Sequence, residues 1–271
     1  MSATVWTDKP DLTSFAGNAL NFAARFWFVV AIAGQTIFLV YVAAFYGGAA
    51  LAGNMQAWNG VGYRPGATMG NAAVAAHLSL AVLIMVGGPL QLIPRLRRYA
   101  PRFHRWNGRV YMLAVFLTSF AGLFMVWSKH KPAQLVPHLG VSVDAVLIMT
   151  FAALALARAI KRDMSAHRRW VLRLFMAVNA GWFFRVILMF WVLVNRGPAG
   201  FDPETFTGPF INFLSFADYL LPLAVLELYL RTNERAGTSG RLALAAGLLL
   251  LTVAMGVGIF AASMVLWLPR I

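Results

Sequence analysis

Cysteine is absent from these 271 residues, and charge is scarce: 12% of the side chains are Asp, Glu, Lys or Arg, and nine of those are acidic. The first absence excludes disulfides, thiolate metal sites and covalently attached c-type haem. The second excludes a water-facing surface, since a soluble globular protein carries about 25% charged residues. Phosphate-binding glycine loops, nucleophile triads and metalloprotease helices are missing too, which argues against a hydrolase, a kinase or an ATP-driven pump. What remains is a chain with 60% hydrophobic side chains. It reads as an all-α integral membrane protein.

A span needs about 20 mostly apolar residues to cross roughly 30 Å of hydrocarbon. By that measure about seven transmembrane helices are expected, at 24–46, 72–93, 107–127, 138–159, 170–194, 211–230 and 242–267. The whole chain, 1–271, reads as one transmembrane domain. Residues 72–194 form its core, and 1–71 and 195–271 are flanking helices and loops. Lysine and arginine set the direction. With the N-terminus in the cytoplasm, 17 of the 23 fall on inner segments and 5 on outer ones, with Arg185 inside a span. The predicted topology is therefore N-terminus inside and C-terminus outside, in a bacterial inner membrane. It also accounts for the net charge of +14 without nucleic acid, leaving the lipid bilayer and its anionic headgroups as partners.

Part of the chain is written twice. Spans two and four open with His77-Leu78 and His138-Leu139 and share Val-Leu-Ile-Met, at Val82 to Met85 and Val146 to Met149. Each descends to an arginine-rich inner turn, followed by "HRW" at His104 and "HRRW" at His167. The copies lie 61 residues apart at the outer histidine, 64 at the tetrapeptide and 63 at the inner histidine. Such spacing predicts a duplicated helical hairpin, with spans two to five as a four-helix bundle. Parallel repeats are related by a pseudo-two-fold axis along the membrane normal, so His77 is expected to face His138 near the outer surface and His104 to face His167 near the inner one. Facing imidazoles in an apolar four-helix core are what six-coordinate haem iron requires.

From about Ala73 to Arg185 the sequence resembles a bacterial integral-membrane family of unknown function. The resemblance is carried by His77, "GGPLQL" at Gly87 to Leu92, "HRWNGRVY" at His104 to Tyr111, "HRRW" at His167 to Trp170, and Arg185. In alternating four histidines over four spans it is also similar to the ascorbate-reducible transmembrane cytochromes b. That second resemblance implies pairing of the second span with the fourth and the third with the fifth, and one b haem near each face. The metal ligands would be His77, His138, His104 and His167. The expected activity is electron transfer across or within the membrane, with quinone or a small redox donor or acceptor as partner.

Each of these residues has a plainer reading. His104 and His167 suit solvated helix starts, and His130 is an outer-loop residue. Arg109 and Arg173 fit haem propionates, or snorkel to lipid phosphate. Arg185 is read either as an ion-pair partner of Asp144 or as a ligand for a propionate or an anionic substrate. Asp218 suits a proton path or a hydrogen bond to a neighbouring helix, and Glu227 an interfacial position. Gly87, Gly88 and Pro89 are expected to let span two bend or pack closely. The outer segments 47–71 and 195–210 are expected to cover an outer site. Taken together, the intramembrane His, Asp and Arg support an alternative without haem: a transporter or a membrane-complex assembly protein.

Overall fold

The computed structural model describes residues 12–61, 63–128 and 134–271, so His130 lies outside the described residues. The first helix, α1 (Leu12–Tyr41), runs on through a π-helical turn (Val42–Gly47) into α2 (Gly48–Leu51). Then come α3 (Thr68–Leu92), the short α4 (Pro94–Tyr99), α5 (Pro101–Ser128), α6 (Leu135–Ile160), α7 (Met164–Val178) and α8 (Ala180–Val194). Two long helices, α9 (Pro209–Arg235) and α10 (Thr238–Ala262), follow. Among the described residues six helical segments are long and apolar enough to span a membrane, and α7 with α8 make a seventh when counted as one broken span. Many large apolar side chains point outward, among them Phe22, Leu113, Phe120 and Phe260. Such exposure suits lipid and would be costly in water. The chain is an all-α integral membrane protein.

The expected spans are all present, with one correction. Span five is not continuous: α7 and α8 meet at Asn179 with a 53° bend. No proline is involved. The Asn179 side-chain amide donates to the Phe175 carbonyl at 2.7 Å, taking the acceptor that its own backbone amide would use in an unbroken helix. Its carbonyl then accepts the amides of Trp182 and Phe183, which starts α8 in a new direction. A side chain inserted into the helical ladder is a sufficient cause for a kink.

The repeated hairpins pack in sequence, α3 on α5, α5 on α6 and α6 on α7, while α9 leans on α6, α7 and α8, and α10 on α1 and α8. Glycines set the closest approaches. A β-carbon on Gly88 would lie 3.2 Å from the Tyr111 ring and 3.7 Å from Phe175, so close packing of span two is the observed role. Tyr111 and Phe175 follow the two inner histidines at nearly equal distance, and here these counterparts from the two copies meet at one point. Along α7 Arg173 pairs with Glu227 and Arg169 with Glu234, each at 2.6 Å, tying α7 to α9.

Candidate functional site: a charged cavity between the helices

A cavity of about 520 Å³ lies among α3, α5, α6, α8 and α9. That is within the range of small-molecule sites. Most of its wall is apolar, including Leu78, Ile84, Val115 and Ile148, and into this wall are set His77, Asp144, Arg185 and Asp218. All four were singled out from the sequence. Polar residues that were not, Thr118, Ser119, Asn179, Trp182, Ser215 and Tyr219, also line it. Asn179 was legible in principle, as an amide inside an apolar run. Tyr219 and Trp182 carried no such signal, because an aromatic side chain in a span is ordinary.

His77 sits on α3 against α5, its ring in van der Waals reach of the Gly122 backbone position and beside the Thr118 backbone. Its Nδ1 is buried and makes no hydrogen bond. Arg185 donates through Nη1 to the Gly181 carbonyl at 2.5 Å and stands 5.1 Å over the Phe38 ring. Among the described residues it forms no ion pair with Asp144, so that expected pairing is not made. Asp144 instead lies within electrostatic reach of Asp218. Each of the two carboxylates keeps one buried oxygen without a partner, as does the Tyr219 hydroxyl.

The other histidines lie elsewhere. His138 is buried on α6, its ring 6.1 Å from that of Trp127, and it is not part of the cavity wall. Gly122, whose missing side chain would face the His77 ring, precedes Trp127 by five residues, about 7 Å along α5. The inner pair is brought closer together: His104 lies within electrostatic reach of His167. His104 accepts a hydrogen bond from Gln91 at its backbone carbonyl, and the His167 Nδ1 lies 2.8 Å from the Ala155 carbonyl. Neither lines the cavity. Arg109 and Arg173 each stand over the tryptophan one turn earlier, Trp106 at 5.1 Å and Trp170 at 4.5 Å, a detail repeated in both copies. Arg109 is exposed, whereas Arg173 is held by Glu227.

Among the described residues no group of three or more His, Cys, Asp or Glu side chains has the arrangement of a metal site. Residues 74–202 match the family described as Predicted membrane protein (DUF2306). The motifs from His77 to Arg185 lie within the matched residues, whereas Asp218 and Tyr219 on α9 lie outside them. No curated protein and no solved structure matches the chain.

Proposed function

We propose, for a chain whose residues 74–202 match this membrane-protein family, that it is a carrier that binds a small polar molecule in the central cavity. One observation carries the reading: His77, Asp144, Arg185 and Asp218 converge on one largely apolar cavity while leaving buried polar atoms unpaired. Ionisable groups at such a depth are costly, and those that persist there mark substrate or ion pathways. A purely structural polar network would satisfy its members against each other. The broken α7–α8 span fits the same use, since interrupted helices line transport sites. We place the protein in a bacterial inner membrane with its N-terminus in the cytoplasm and its C-terminus outside.

A b-type haem for electron transfer, with quinone or a small redox partner, is the second reading. Its support is the buried His77 imidazole, whose Nδ1 has no partner, in an apolar cavity that also holds Arg185, a residue suited to a propionate. The cavity offers one imidazole rather than the two of a six-coordinate b haem, because His138 is not on its wall. Absorption and flux measurements on the purified protein separate the readings. The carrier reading predicts a preparation without a Soret band that exchanges labelled polar solute in proteoliposomes, with exchange lost in Asp218→Asn. Stoichiometric haem that disappears in His77→Ala would overturn it.

A further inference from the structure

The cavity holds a guanidinium and two carboxyl groups that form no ion pair with one another among the described residues. Two donors come from α8: the Arg185 guanidinium and, one turn earlier, the Trp182 indole, whose N–H is buried without a partner. Its acceptors are on α6 and α9: Asp144 and Asp218, each with an unpaired buried oxygen, beside the unpaired hydroxyl of the fully buried Tyr219. Arg185 is turned instead towards Gly181 and the ring of Phe38. Apolar wall lies around both sets.

Separated charges in an apolar setting are expensive unless something pairs with each of them. A cation alone would leave Arg185 unmet, and an anion alone would leave both carboxylates unmet. We propose that the ligand is a zwitterion with an apolar body, in the class of a branched-chain α-amino acid. Its carboxylate meets Arg185 and the Trp182 N–H. Its ammonium group meets Asp144, Asp218 and Tyr219. The inference rests on the carrier reading and names its ligand class.

Three probes with the same branched body but different charges test it: leucine, 3-methylbutylamine and 4-methylpentanoate. Heat stability of the detergent-purified full chain, titrated with each, gives relative affinities. Leucine should bind at least about tenfold more tightly than either single-charge probe, the scale of one lost charge-assisted hydrogen bond. Arg185→Gln should weaken leucine by a similar factor and leave the amine unchanged, and Arg185→Lys should recover part of the loss. Asp218→Asn should weaken leucine and the amine but spare the carboxylate probe. The comparison of probes on the unmodified protein does not depend on any variant folding. Leucine binding no better than the amine or the carboxylate would overturn the zwitterion while leaving the carrier reading intact. No binding of any probe would overturn the zwitterion too, and a Soret band in that preparation would overturn the carrier reading with it.

Discussion

Arg109 and Arg173 look alike in the sequence, each one turn after a tryptophan and five or six residues after an inner histidine, yet their surroundings differ. Arg109 is exposed and stands only over Trp106, while Arg173 has its guanidinium at 2.6 Å from Glu227 and is mostly covered. Their substitutions should therefore diverge. Arg109→Gln should change thermal stability by less than about 0.5 kcal/mol, as for surface sites without special partners. Arg173→Gln should be clearly destabilising, because it leaves Glu227 half-buried without its cation. A double-mutant cycle with Glu227→Gln measures the coupling, expected at about 1 kcal/mol for a partly exposed pair. Additive losses would mean that the two side chains act separately.

The loop between α8 and α9 is held by one carboxylate. Asp202 bridges to Thr207, accepts the Glu204 amide at 2.8 Å through Oδ1, and accepts the Thr205 hydroxyl at 2.9 Å through Oδ2. The Glu204 amide first, and the Thr205 hydroxyl next, hold this carboxyl below its ordinary value. The sign follows from linkage. The charged form is favoured in the folded loop, so its contribution is full above the ordinary aspartate value of about 3.9 and is lost as pH falls through the lowered folded value. Amide exchange at Glu204 and Thr205 should accordingly become less protected in strong acid. In Asp202→Asn the lost protection should be present already at neutral pH. Equal protection in both proteins would show that the carboxylate does not order the loop. The break at Asn179 belongs to the same scale: the apolar run 170–194 reads as one span, and only the side-chain bond to Phe175 divides it.

For the whole molecule, topology is the exposed prediction. Seven crossings put the termini on opposite faces, and the lysine and arginine bias chooses which. A reporter fused after Ile271 should be active only outside the cytoplasm. Activity in the cytoplasm would mean that the α7–α8 pair returns to the face it entered from, leaving six crossings.

The spans and the likeness of residues 74–202 to a membrane-protein family were legible in the sequence, and for a physical reason. Crossing a bilayer demands about 20 apolar residues in a row, and repeats and motifs are linear patterns that survive without knowledge of packing. The close approach at Gly87 and Gly88 was legible likewise, because a missing side chain has only a few uses in a span. Which polar groups share a site was not. Depth can be counted along a span, but rotation about the helix axis and choice of neighbour are set by side-chain packing between helices. Those decided that Asp144 lies near Asp218, from outside the repeat, rather than pairing with Arg185 at similar depth. They also put His77 on the cavity wall and left His138, its counterpart in the second copy, beside Trp127.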